Sequence, residues 1–313
     1  MNITADAVKQ LRERTGAGMM ECKKALVEAA GDLDAAAEAM RKSGLAKADK
    51  KASRVAAEGT IVVEVSADNQ AGVLVEVNCE TDFVAREVDF VAFAKAVAAT
   101  ALAQRLDTVE AVLAADGGAL DERRRVLIAK IGENISVRRF ELLTSNGQVG
   151  AYLHGSRIGA LVAVEGGDAT LAKDLAMHVA ASSPQYLDAA AVPGDVVAKE
   201  REILVEQARN DEKNKNKPEE ILVKMTEGRI RKFLGEITFV GQPFIKDPDQ
   251  TIEKLLASAS AKVTGYARME VGAGNEKKQT DFAAEVAAQV AAFKACPPGP
   301  GVGILGFPAQ PDP

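Results

Sequence analysis

Apolar positions recur at helical spacing over the first 54 residues and then switch to alternation, so the chain changes structural type early. Thr4 is placed to cap a helix whose inner face is Ala7, Val8 and Leu11, and Thr15-Gly16-Ala17-Gly18 ends it. A second helix is predicted from Met19 to about Ala29. Gly31-Asp32 closes it and caps a third, which carries Leu33, Ala36, Ala37 and Met40 and stops at Ser43-Gly44. From Ala56 the period is two: Thr60–Val65, a turn at Ala67-Asp68-Asn69, and Val73–Val77 predict a β-hairpin. A helix through Phe90, Phe93, Ala94, Val97 and Ala98 follows, then more helix from about Val109 to Ile131 and a strand over Ile135–Leu142.

The pattern then returns. Gly147–Leu153, the turn His154–Arg157, Gly159–Val164 and a helix over Leu171–Ala181 repeat the hairpin and helix. Gly72-Val-Leu-Val-Glu-Val matches Gly159-Ala-Leu-Val-Ala-Val, and the helix from Phe93 matches the one from Leu175. Such a duplication predicts a two-lobed α+β core with helices on one face of each sheet. Between residues 194 and 235 two charged helices carry narrow apolar stripes on either side of a break at Lys213–Pro218. They predict an antiparallel hairpin standing off the core. Ile237–Val240 and Val263–Val271 read as strands, and beyond Ala295 the chain is rich in Pro and Gly.

A 47% apolar share supports a real core, and 27% charged residues mark a water-soluble surface. No long apolar run or secretory leader is apparent, and Cys22, Cys79 and Cys296 form neither a disulfide framework nor a metal set, so a cytoplasmic protein is expected. A net charge of −6 argues against general nucleic-acid binding. One segment stands apart: Arg41, Lys42, Lys47, Lys50, Lys51 and Arg54 are basic, as a solvated helix end with a polar linker or an RNA-binding strip would be. Gly301-Val302-Gly303-Ile304-Leu305-Gly306 fits a dinucleotide-binding spacing, but Pro297, Pro298, Pro300 and Pro308 leave it no helix to open. His178 lies on an apolar helical face, as a core histidine would, and His154 sits in a hairpin turn. No nucleophile–base set or metal cluster is in view, so neither an enzyme nor a bound cofactor is expected.

The chemistry that remains is contact. Val77-Asn78-Cys79-Glu80-Thr81-Asp82-Phe83-Val84-Ala85 joins a strand to a helical pattern that Thr81 can cap. There Phe83 is either a core residue or a group held out beside Asp82. Met19 and Met20 open the second helix together and cannot both face one core, so one of them is expected at the surface.

Leu11-Arg12-Glu13-Arg14-Thr15-Gly16-Ala17-Gly18-Met19-Met20-Glu21-Cys22-Lys23-Lys24-Ala25-Leu26 and Val77–Val84 resemble the two signatures of bacterial translation elongation factor Ts. Ile131-Gly132-Glu133-Asn134, Tyr152-Leu153-His154-Gly155, Gly241-Gln242-Pro243-Phe244 and Thr280-Asp281-Phe282-Ala283-Ala284-Glu285-Val286 match in the same order, and the resemblance reaches about residue 293. It implies an N-terminal domain like ubiquitin-associated domains (1–54) and a two-lobed core. The core lobes are residues 55–143, and 144–192 with 236–274. A protruding antiparallel coiled coil (193–235) and a C-terminal helical module (275–295) complete it; residues 296–313 are not part of the family pattern, and their Pro/Gly composition predicts disorder. The resemblance also implies guanine-nucleotide exchange on elongation factor Tu, with no cofactor of its own. In such proteins Asp82 and Phe83, flanked by Thr81 and Val84, are pushed into the GTPase domain near its magnesium. Arg12, Met19 and Met20 touch the same domain, Ile131 lies on the core contact surface and His154 reaches toward the partner's third domain; Phe282 repeats the Asp-Phe pair in the C-terminal module. The competing readings are a docking or chaperone-like protein acting through residues 1–54, and RNA binding through Arg41–Arg54.

Overall fold

The computed structural model describes residues 3–211 and 218–274. Three helices come first: α1 (Ala5–Thr15), α2 (Met19–Glu28) and α3 (Leu33–Lys51). Thr4 Oγ1 accepts from Ala7 N at 3.2 Å, and Asp32 Oδ1 accepts from Asp34 N and Ala35 N, so both predicted caps are present. Gly16, at φ 66°, closes α1 in the left-handed conformation that its lack of a Cβ permits. Leu11, Cys22, Leu26 and Ala36 are the buried centre of this small bundle. The expected stop at Ser43-Gly44 is not observed. α3 runs on to Lys51, because a lone glycine costs only about 1 kcal/mol in a helix and Gly44 lies close against Ala129 of the core.

Next come β1 (Glu58–Val65) and β2 (Ala71–Cys79), then α4 (Val88–Gln104), α5 (Val109–Ile131) and β3 (Ser136–Thr144). Non-helical backbone at Ala115–Gly118 breaks α5. β4 (Gln148–His154), β5 (Ile158–Glu165) and α6 (Ala169–Ser182) repeat the first hairpin and helix, and β8 (Lys262–Glu270) completes the second sheet. The sheets are antiparallel, ordered β1-β2-β3 and β4-β5-β8, so the duplicated strands β2 and β5 are both central. Even their irregularities correspond: the register slips between Glu76 and Val77 in one sheet and between Ala163 and Val164 in the other. The fold is mixed helix and sheet with small antiparallel sheets, as the duplication predicts.

Each lobe has its own apolar layer. Phe90, Phe93, Val97 and Ile128 pack on the outer face of the first sheet, and Leu175, Val179, Phe239 and Ile252 on that of the second. Ile61, Leu74, Val149, Leu161 and Met269 fill the seam where the sheets face one another. Matched glycines allow this approach. A Cβ on Gly72 would stand 2.9 Å from Leu161 Cδ2, and one on Gly159 would stand 2.7 Å from Leu74 Cδ2.

α7 (Gly194–Asn210) and α8 (Glu219–Ile237) pack on one another through Leu204, Ala208, Leu222 and Ile230, while Ile203, Ile221 and Met225 remain exposed. Ile237–Val240 is not a strand: α8 extends to Ile237, and Thr238 makes an isolated bridge to Tyr186. The short hairpin β6 (Pro243–Phe244) and β7 (Asp247–Thr251), with helix α9 (Ile252–Ser258), lies beyond what periodicity reveals. The C-terminal module, the tail, Phe282 and Cys296 lie outside the described residues. Among the described residues no helix is long and apolar enough to cross a membrane.

Candidate functional site

β2 is buried along its whole length, and the chain leaves it through Glu80–Glu87 before α4 begins. Thr81 does not cap α4, contrary to expectation. That cap is Glu87, whose Oε2 accepts from Asp89 N at 2.7 Å and from Phe90 N at 3.4 Å. Between them Val84–Arg86 makes a single 3-10 turn anchored by the buried Val84 and Ala85. This leaves Phe83 at the corner with 83% of its surface exposed, so it is not a core residue of this chain. Burying a Phe side chain contributes roughly 1.5–3 kcal/mol, which this fold forgoes at Phe83. Asp82 beside it pairs with Arg86 at 3.1 Å on the surface.

The corner is exposed but firmly held. Glu133 accepts from Glu80 N at 3.1 Å, Thr81 N at 3.0 Å and Thr81 Oγ1 at 2.7 Å. Glu80 answers, its Oε1 accepting from Asn134 N at 2.7 Å. Charge-assisted bonds of this kind are about twice as strong as neutral ones. Cys79 Sγ donates to Thr81 O at 3.1 Å; burial, with Glu133 nearby, pushes its thiol pKa up to about 12. Cys79 is thus a small structural thiol, not a reactive one.

Glu133 can reach this loop because Gly132, at φ 90°, turns the chain sharply at the end of α5. The same turn grips the chain leaving the helical bundle. Gly132 O accepts from Lys51 Nζ, and Asn134 Nδ2 donates to Ala52 O at 3.3 Å and Arg54 O at 2.7 Å. The Ile131–Asn134 segment therefore joins the bundle's exit to the Phe83 corner. Ile131 itself is half-buried against the first lobe's core.

Met19 and Met20 are exposed at 60% and 75%; one was expected at the surface, and both are there because Cys22, Ala25 and Leu26 already fill the inner face of α2. Arg12 is exposed on α1. The α1–α2 loop approaches the core at Lys130, whose stem lies 3.4 Å from a Cβ position on Gly16 and whose Nζ bonds Asp89 at the start of α4. His154, exposed, has Nδ1 3.1 Å from Tyr152 Oη. Its hairpin turn is tied to the start of β1 by Ile61 N to Ser156 O at 2.8 Å and Arg157 to Glu58 at 2.8 Å. Glu58 pairs with Cys79, so this turn and the Phe83 corner occupy the same end of the core.

Two further residues belong to this end. Val88, 78% exposed, follows the corner by one short turn, and its position off the Phe90–Phe93–Val97 stripe was legible in the sequence. Glu133 was not legible as a loop anchor, since nothing local to residue 133 points to residue 81. Of the basic segment, Arg41 pairs with Glu122, Lys42 with Glu38 and Arg54 with Glu80, while Lys51 holds Gly132 O. Four of its cations are thus engaged within the molecule. Among the described residues no three His, Cys, Asp or Glu gather as a metal site.

The site is thus an exposed aromatic corner on a duplicated, sheet-and-helix scaffold. The chain belongs to the elongation factor Ts family: residues 80–273 match the family model described as Elongation factor TS. It is 60% identical over 296 residues to elongation factor Ts of Methylococcus capsulatus, covering 93% of this chain and 100% of that protein. It is 58% identical to that of Alkalilimnicola ehrlichii, covering 92% and 99%, and 56% identical to that of Halorhodospira halophila, covering 93% and 99%. Its role is that of an elongation factor in protein biosynthesis.

Proposed function

We propose that this protein is the guanine-nucleotide exchange factor for elongation factor Tu, acting by contact and not by chemistry of its own. The observation that carries the reading is Phe83, a large apolar side chain left 83% exposed on a loop that Glu133 and Glu80 hold in place. An aromatic ring fixed at a corner and denied a home in its own fold is suited to enter a partner.

In this reading Asp82 and Phe83, supported by Thr81 and Val84, enter the GTPase near its magnesium and phosphate site. Magnesium demands near-octahedral geometry and bridges the nucleotide phosphates to the protein, so a ring that displaces its surroundings by a fraction of an ångström loosens GDP. Arg12, Met19 and Met20 give a second contact, with the methionines adapting to its shape. Ile131, His154 and Phe282 extend the interface. The domain assignment follows: residues 1–54 dock, the two lobes present the wedge, and 193–235 is an accessory coiled coil. Binding of the factor and of GDP is reciprocal: whatever the factor does to GDP affinity, GDP does to the factor's. Exchange therefore runs toward whichever nucleotide is abundant.

The test is release of a fluorescent GDP from purified elongation factor Tu. The wild-type chain accelerates release, and Phe83→Ala loses most of that acceleration while keeping its melting temperature. An unchanged rate with Phe83→Ala overturns the wedge.

A further inference from the structure

Phe83 contacts the partner in the reading above, yet nothing in its own side chain fixes where it points. Its exposure means that packing does not restrain it, so the backbone of Glu80–Val84 must. Thr81 N, Thr81 Oγ1 and Glu80 N all end on the one carboxylate of Glu133, within 2.7–3.1 Å. This is a nest of donors with a single acceptor group, delivered from another element across more than fifty residues of chain. The second member is Glu80, whose carboxylate takes Asn134 N and Arg54. Each of the two acidic residues thus accepts from the backbone of the other's segment.

We infer that Glu133 is a positioning residue for nucleotide exchange, fixing the Thr81–Phe83 corner so that the ring is presented in one orientation. The inference rests on the wedge reading and adds a residue to it that acts through this chain's own backbone. Uncompensated, the amides of Glu80 and Thr81 would turn to water, and the corner would exchange among conformations of which only a fraction is competent. Apparent activity falls by that fraction. Losing a hydrogen bond to a charged group corresponds to about a tenfold shift or more.

The clasp lies where the bundle's exit meets the corner. Gly132 O holds Lys51 and Asn134 holds Ala52 and Arg54, so one turn places both the chain that leaves the methionine-bearing bundle and the aromatic corner. Contacts made by the bundle and by the corner are therefore set in register by residues 132–134, and a loosened clasp harms the maximal rate more than initial docking.

The experiment compares full-length wild type, Phe83→Ala, Glu133→Ala and Glu133→Gln in GDP release from elongation factor Tu across factor concentrations. Amide hydrogen exchange at Glu80 and Thr81 is followed in parallel. Glu133→Gln keeps the volume of the side chain and one acceptor oxygen, so it guards against misfolding and reports partial rescue. The expected result is a maximal release rate lowered about tenfold in Glu133→Ala and less in Glu133→Gln. Half-saturating concentrations stay within about threefold, because the docking contacts remain, and the two amides exchange faster in both variants. If Phe83→Ala is slow while both Glu133 variants release GDP at the wild-type rate, the clasp is structural only and the inference is overturned. If Phe83→Ala itself is as fast as wild type, the parent reading falls instead.

Discussion

The two repeats of the core reach the same architectural point by different routes. In the second, β5 passes to α6 through Gly166, Gly167 and Asp168, and Asp168 caps the helix by accepting from Leu171 N at 2.7 Å. Any Cβ on Gly166 would stand 2.3 Å from Ser260 O, so that turn is sealed against side chains. In the first repeat residues 80–87 occupy the corresponding place, with Glu87 as the cap and Phe83 at the surface. The strand–helix unit closes with three residues where nothing else is asked of it. The first connection is longer than this strand–helix unit requires, and in the proposed reading it carries the partner contact, as connecting segments commonly do.

The most forceful way to break this comparison is to make the first junction resemble the second. A chain with Gly-Gly-Asp in place of residues 80–87 is expected to melt cooperatively and to accelerate GDP release no more than buffer does. Calorimetry and a fluorescent-GDP assay read the two halves of that statement. Residual acceleration would move the functional contact elsewhere; loss of the cooperative melt would make the loop part of the folding core.

The lobes differ again at the matched bulges. Where the second repeat has the buried Ala163, the first has Glu76, fully buried, with Arg139 at 2.7 Å, Arg138 at 3.1 Å and Gly272 N at 2.8 Å. Burial pushes the Glu76 carboxyl up, but the Gly272 amide and Arg139 outweigh it and hold it below the ordinary carboxylate range. Removing one member of a buried ionic cluster strands the others. Glu76→Ala is therefore expected to lower the denaturation free energy by about 2–4 kcal/mol, the lower end if Arg138 and Arg139 rehydrate. Urea titration measures it, and a change below about 0.5 kcal/mol would mean that Ala163's solution serves both lobes equally.

Much of this was readable from residues alone, and the misses share one cause. Alternation at Thr60–Val65 and Val73–Val77, the repeat at Gly159–Val164, and the Thr4 and Asp32 caps all depend on neighbours within a few positions. Errors arose where a distant partner decides: Gly44 stays helical against Ala129, and Thr81, whose Oγ1 accepts from Val84 N at 3.5 Å, donates its hydroxyl to Glu133 while Glu87 caps α4. The site divides in the same way. Phe83, Met19 and Met20 stood out as apolar groups at helix starts, whereas Glu133 becomes meaningful only once the fold brings residues 80, 81 and 133 together.

The seam between sheets offers a finer test, since Gly72 and Gly159 face each other's lobe through Leu161 and Leu74. A methyl at either position must displace buried side-chain ends. Gly159→Ala, at 2.7 Å from both Ile61 Cγ2 and Leu74 Cδ2, is expected to cost about 1–3 kcal/mol, and Gly72→Ala somewhat less. Combining Gly159→Ala with Leu74→Val should cost less than the sum of the two, as neighbours sharing space do not add. Strict additivity in a double-mutant cycle would show that the seam relaxes freely and that the glycines are not what allows the sheets to meet.

The smallest expected effect concerns a polar group buried in the second lobe, on the helix and not on the central strand. His178, on α6, is fully buried, stacked on Phe239 with ring centroids 5.7 Å apart. Nδ1 accepts from Ile245 N at 3.3 Å, so Nε2, 2.9 Å from Gln242 Oε1, carries the proton. Gln242 in turn donates to Glu236 O at 2.7 Å, which fastens the exit of α8 to α6. Burial lowers the His178 pKa against the opposing pull of Gln242. The unfolded chain therefore binds the proton more readily than the folded one, and protonation favours unfolding. Stability from this group is complete above the unfolded imidazole's value of about 6.5 and declines as pH falls from there toward the lower folded value. His178→Gln gives up the stacking and the Ile245 bond, so it melts below wild type at pH 8, but it has no proton to take up. The gap between the two melting curves should narrow between pH 7 and pH 5.5, and a gap that widens would mean that the histidine is charged in the folded lobe and plays the part Glu76 plays in its twin.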